Sequence, residues 1–177
     1  MKLLKRLLLA ITLIVTATGT ASAQKGMSGI GVNLGLDFDQ DYLLYEFALL
    51  SNVSIKYQYN FSNYYRIEPI VSCRYVLSTN TNYNRTNFEI SINNHFFMTK
   101  VNRFRPYAII GIGYMHETQK DTYNGEINVR PNAIFRGGIG IDYRFSHNWS
   151  GQASLSYIAF FDNCGFIDFE IGIAYNF

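Results

Sequence analysis

The feature that most constrains this chain is a period of two in its hydrophobicity. In "FIDFEIGIAYNF", residues 166–177, Ile167, Phe169, Ile171, Ile173, Tyr175 and Phe177 alternate with Asp168, Glu170, Gly172, Ala174 and Asn176. Successive side chains of a strand point to opposite faces, so the stretch predicts a strand with one apolar and one polar face. A soluble sandwich and a lipid-facing barrel both use such strands. The choice between them rests on how often the pattern recurs and on what fills the polar face.

It recurs seven more times. The segments are "GIGVNLGLD" (29–37), "NVSIKYQYNF" (52–61), "YRIEPIVSCRYVL" (65–77), "NFEISINNHFFM" (87–98), "RPYAIIGIGYM" (105–115), "AIFRGGIGIDYRF" (133–145) and "WSGQASLSYIAF" (149–160). Ile70 and Val76 interrupt the third, the fourth falters at Asn94, and the fifth alternates least. Connections alternate in length. Tight segments at 62–64, 99–103 and 146–148 separate longer ones at 37–51, 78–86, 116–132 and 161–165. An even number of strands with short turns at one end and long loops at the other predicts an eight-stranded antiparallel up-and-down transmembrane β-barrel, all-β, with periplasmic turns and extracellular loops.

The N-terminus supports that setting. "MKLLKRLLLAITLIVTATGTASAQ" has Lys2, Lys5 and Arg6, an apolar run from Leu7 to Val15, and Ala21-Ser22-Ala23 before Gln24. This is the layout of a cleaved secretory signal peptide, so residues 1–23 are expected to be the leader and 24–177 one outer-membrane β-barrel domain. The apolar run is shorter than the roughly 20 residues of a spanning helix. Without the three leader cations the formal charge moves from +2 to −1, which removes the case for nucleic acid. The 14 tyrosines and 14 phenylalanines with only three prolines suit strands.

The polar face favours the barrel. It carries Lys56, Arg66, Arg74, Arg136 and Arg144 against Glu68, Glu89, Asp142, Asp168 and Glu170, a neutral set. An eight-stranded barrel is only wide enough inside for side chains, so charges there need partners. Arg74 and Glu89 flank one outer hairpin and are expected cross-strand neighbours. On the other face Tyr59, Phe61, Tyr65, Phe96, Tyr143, Phe145, Trp149, Tyr175 and Phe177 gather beside the short turns, and Tyr75, Tyr114, Phe135 and Tyr157 lie towards the long loops. Two aromatic girdles bounding an aliphatic band are expected of a lipid-facing surface. Solvated surface charges on a soluble sheet leave that ring unexplained.

On these residues the chain resembles the small eight-stranded outer-membrane barrels of the OmpX and OmpA transmembrane type. "RFRPYAIIGIGY" (103–114) resembles the Arg-Pro-Tyr, Gly-x-Gly-Tyr hairpin arm of the "porin family" outer-membrane β-barrel domain. The resemblance implies an outer-membrane location. It also implies that Tyr175 and Phe177 form the C-terminal signal read by the barrel assembly machinery. Peptidoglycan anchoring is not implied, because the barrel is not followed by the additional domain of OmpA proper.

Enzyme and metal chemistry find little support. His95 and His147 are expected near the periplasmic rim and His116 beside the outer loops, too far apart for one metal site. Cys73 is expected to face lipid and Cys164 to lie in the last outer loop, which disfavours a disulfide. "DFDQD" (37–41) lacks the glycine of a calcium loop, and is read as a solvated loop that could bridge cations at the lipopolysaccharide surface. Ser156 has no matching histidine and carboxylate. The expectation is a non-enzymatic barrel without cofactor, a monomer embedded in outer-membrane lipid and lipopolysaccharide. Its role would be structural or surface-interactive, through a loop ligand or extracellular protein. A narrow pore for small solutes or ions is the alternative.

Overall fold

The computed structural model describes residues 27–39, 49–77, 83–99, 103–121, 125–161 and 165–177. The expected leader at 1–23 and Cys164 lie outside the described residues. Eight strands follow in chain order: β1 (Ser28–Asp39), β2 (Leu49–Asn60), β3 (Tyr65–Leu77), β4 (Tyr83–Phe97), β5 (Phe104–Asp121), β6 (Ile127–Arg144), β7 (Trp149–Phe160) and β8 (Gly165–Asn176). Each pairs antiparallel with the next, and β8 returns to β1, so the sheet is a closed barrel. Closure leaves no unpaired edge within hydrocarbon, which any strand-built membrane span requires.

Both described termini lie at the short-turn end. Ser28 N donates to Phe177 O at 3.3 Å and Phe177 N to Ser28 O at 2.8 Å, closing the ring. The turns hold themselves together with small polar side chains. Tyr64 N donates to Ser62 Oγ and Trp149 N to Ser146 Oγ, each supplying a bond the ladder cannot make there.

The apolar face points outward. Ile112 is 65 % exposed and Ile139 61 %, in a band with Val32, Leu34, Ile55, Ile90 and Ile171. So large a contiguous apolar surface is unsuited to water and suited to lipid. Aromatic residues border it and touch one another, as in Tyr59–Phe61 (ring centroids 4.6 Å), Tyr65–Phe96 (5.4 Å) and Trp149–Tyr175 (5.2 Å). Phe104 joins this lower girdle although the sequence pattern began strand five one residue later.

Several expectations are corrected. β4 does not falter at Asn94: the residue faces outward, accepts from Tyr65 Oη at 2.7 Å and donates to Ile110 O at 3.1 Å, so its amide is satisfied on the lipid side. Ile70 is no blemish but a buried residue of the inner face. The long connections are shorter than expected, because β1 extends to Asp39, β2 begins at Leu49, β4 at Tyr83, β5 ends at Asp121 and β6 begins at Ile127. Beyond the membrane both faces of a strand meet water, so the ladder continues while the period-two signal fades. Around that hairpin tip Gly125 takes φ +72°, a conformation that favours glycine.

Inside, small residues leave room for large ones. Gly140 on β6 lies opposite Tyr107 on β5, and a Cβ there would stand 2.5 Å from the tyrosine ring.

Candidate functional site

The inward face of every strand contributes to a charged interior in two groups. The outer group is organised by Arg74 on β3 and Arg136 on β6. Arg74 Nε donates to Asp37 Oδ2 at 2.7 Å, its Nη1 donates to Glu89 Oε2 and to Ser72 Oγ, and its Nη2 stands 3.8 Å from Asp168 Oδ2. Arg136 Nη2 donates to Glu89 Oε1 at 3.0 Å, while its Nη1 lies 3.1 Å from Asp168 and 3.7 Å from Glu170. Glu170 also accepts from Asn33 at 3.0 Å and Asn52 at 2.8 Å. These contacts draw on β1, β2, β3, β4, β6 and β8, so they cross the lumen rather than follow its wall.

The periplasmic group has two parts. Glu68 accepts from Gln58 Nε2 at 2.8 Å and lies 3.8 Å from Lys56 Nζ and 3.6 Å from His95 Nε2. Lys56 in turn donates to Gln152. Asp142 Oδ2 accepts from Arg66 at 2.8 Å, Arg105 at 3.2 Å and Gln152 at 3.1 Å. The two guanidiniums lie against Phe97, 4.9 Å and 4.1 Å from its ring centroid, and His95 stacks on Tyr107 at 4.5 Å.

The sequence-derived set thus divides. Lys56, Arg66, Glu68, Arg74, Glu89, Arg136, Asp142, Asp168 and Glu170 are brought together inside, whereas Arg144 is only half-buried at the periplasmic mouth and makes no ion pair within 4 Å among the described residues. Arg74 and Glu89 meet diagonally, since the residue opposite Arg74 is Asn87 and that opposite Glu89 is Ser72. Three buried acidic or basic residues of the interior escaped the sequence reading. Asp37, assigned to a loop, pairs with Arg74; Arg105 pairs with Asp142; and Glu117 lies 3.1 Å from Arg85. Parity held the signal: Asp37 is in step with Asn33 and Gly35, and Arg105 with Tyr107 and Ile109.

Apolar residues cover the outer group. Met115, Ile134, Ile158 and Phe166 form a buried cluster, and Phe166 lies 5.3 Å from the Arg74 guanidinium. A void lined by Asn33, Lys56, Glu68, Asn93, His95 and Glu170 measures about 10 Å³, space for a single water. Among the described residues the serine, histidines and carboxylates weighed for catalysis or metal binding do not come together. Ser156 faces inward opposite Asp168, His95 is buried on the inner face near the periplasmic end, His116 is exposed on β5, and no cluster of metal-ligating side chains occurs among the described residues.

Comparison with known proteins agrees with the architecture. Solved structures similar in fold include Neisserial surface protein A (10 % identity, 89 % of this chain and 100 % of that one, TM-score 0.68). Another is OprG of Pseudomonas aeruginosa (12 % identity, 88 % and 98 %, TM-score 0.61). A third is Ail, the attachment invasion locus protein of Yersinia pestis (16 % identity, 86 % and 97 %, TM-score 0.59). No curated protein matches in sequence. The family described as "Outer membrane protein beta-barrel domain" matches residues 7–177, and the chain belongs to that family of bacterial outer-membrane proteins.

Proposed function

We propose that this protein is a monomeric barrel with a closed interior that acts through the surface it displays outside the cell. The observation that carries the reading is the interior itself. Ion pairs reach across the lumen from five strands, an apolar cluster covers them, and the void beside them has room for about one water. Such a core stabilises a barrel and leaves no path for solutes.

What remains for function is the exterior. The 18-residue strands β5 and β6 continue past Tyr114 of the outer girdle and reach on the order of 20 Å beyond it. β7 pairs with β6 only from Ile134 on, so residues 127–133 have no partner strand on that side among the described residues. All but Asn132 of these residues are exposed, Ile127 and Val129 among them. An open edge with exposed apolar side chains suits an extended segment of an extracellular protein. Pro131 sits on this edge, where a missing N–H is tolerated. Ail has been solved in complex with the heparin analogue sucrose octasulfate, so a sulfated glycan belongs among the probes. The surrounding partners are outer-membrane lipid and lipopolysaccharide. The outward-facing Tyr175 and Phe177 at the end of β8 are the signal presented to the barrel assembly machinery.

A narrow pore is the second reading. It is favoured by buried polar atoms that lack partners among the described residues, such as Asn33 Oδ1 and Asn93 Oδ1, which water would satisfy. Planar-bilayer recording of the refolded protein separates the two. A silent bilayer with a folded barrel is expected, whereas ohmic steps that grow in Arg74→Ala would replace the closed-barrel reading with the pore.

A further inference from the structure

The interior charges are segregated along the barrel. The outer group holds Asp37, Glu89, Asp168 and Glu170 against Arg74 and Arg136. At the periplasmic end the ratio reverses: Lys56, Arg66, Arg105 and Arg144 stand against the two carboxylates Glu68 and Asp142, with Arg66 and Arg105 both paired to Asp142 and Arg144 in no ion pair among the described residues. One oxygen, Asp142 Oδ2, takes three donors there. Arg105 Nε and Arg66 Nη1 are buried and have no acceptor among the described residues. The cluster holds more cations than carboxylates.

The space for one is present. A cavity of about 260 Å³ opens at the short-turn end, lined by Arg105, Arg144, His147, Asn60, Ser62 and Asn63. No carboxylate is among its lining residues as far as the described residues go. Arg105 is 1 % exposed and held by Phe97, so it meets this cavity as a preset group rather than a mobile surface cation. A tetrahedral oxyanion with its waters fits the volume, and guanidiniums bind phosphate through paired N–H donors.

We propose that the periplasmic mouth of the barrel is a binding site for a soluble oxyanion of the phosphate class, held by Arg105 and Arg144 with His147 and the turn amides. Phospholipid headgroups of the inner leaflet share that chemistry. The cavity belongs to the lumen, whereas headgroups meet the outer wall.

The test uses the full mature chain refolded in a maltoside micelle, which contains no phosphate. Inorganic phosphate is titrated at constant ionic strength while the arginine Nε–H signals are followed by nuclear magnetic resonance. A saturable millimolar shift of Arg105 and Arg144 is expected, weakened by about tenfold in Arg144→Gln and retained in Arg144→Lys and in Arg130→Gln on the outer hairpin. Shifts that rise linearly without saturation, or an Arg144→Gln protein that binds as tightly, would overturn the site. Shifts produced by phosphatidylglycerol bicelles but not by inorganic phosphate would overturn the soluble ligand in favour of the headgroup.

Discussion

Glu89 is the carboxylate most exposed to test by a single substitution, because both outer arginines donate to it. In Glu89→Gln the volume is kept and one buried charge is lost. Removing one partner of a buried ion pair costs about 3–5 kcal/mol, since the remaining charge stays desolvated. Here neither arginine is abandoned: Arg74 keeps Asp37 at 2.7 Å, and Arg136 keeps Asp168 at 3.1 Å. The low end applies, about 3 kcal/mol, or roughly a hundredfold in the folding equilibrium. Asp168→Asn is the informative contrast. Asp168 also faces both arginines, but it lies directly across from Asp37 in the β1–β8 register, so neutralising it removes a repulsion along with an attraction. Its cost is expected to stay below about 1 kcal/mol. The assay is reversible urea unfolding from phosphatidylcholine vesicles, read by Trp149, the single tryptophan of the chain. A Glu89→Gln protein as stable as the parent, or an Asp168→Asn protein as unstable as Glu89→Gln, would refute the assignment of Glu89 as the central acceptor.

Two further outcomes follow from the outer surface. Ile112 and Ile127 are 65 % and 62 % exposed, yet only the first is placed in hydrocarbon. Ile112→Arg should lower stability in vesicles by about 2–4 kcal/mol. Ile127→Arg should change it by less than about 0.5 kcal/mol, and equal costs for the two would contradict the placement of the membrane band. Phe177→Ser should reduce the amount of assembled barrel recovered from cells several-fold while leaving the urea midpoint of refolded protein unchanged; normal assembly would remove Phe177 from the assembly signal.

Much of the wall was legible in advance because alternation is a local property. A residue's face follows from parity alone, so Ile171, Glu89 and Arg136 could be assigned without knowing their neighbours. Failures came where parity was abandoned too early. Asp37 stands where strand and acidic connection overlap in the sequence, and Arg105 opens the segment that alternates least, although both are in step with their strands. The extent of β5 and β6 was hidden for a different reason: outside lipid neither face must be apolar, so "HETQKD" and "INVRPN" carry no strand signal of their own.

By itself the sequence determined the strands, their number, the lipid face and the girdles, since each depends on residues one or two positions apart. Only closure decided the interior. Arg136 reaches Glu89 from β6 to β4 and Asp168 from β6 to β8, and Arg66 reaches Asp142 from β3 to β6. Such partners are chosen by register and by the curvature of the whole sheet, which place side chains from distant strands at one height across a narrow interior.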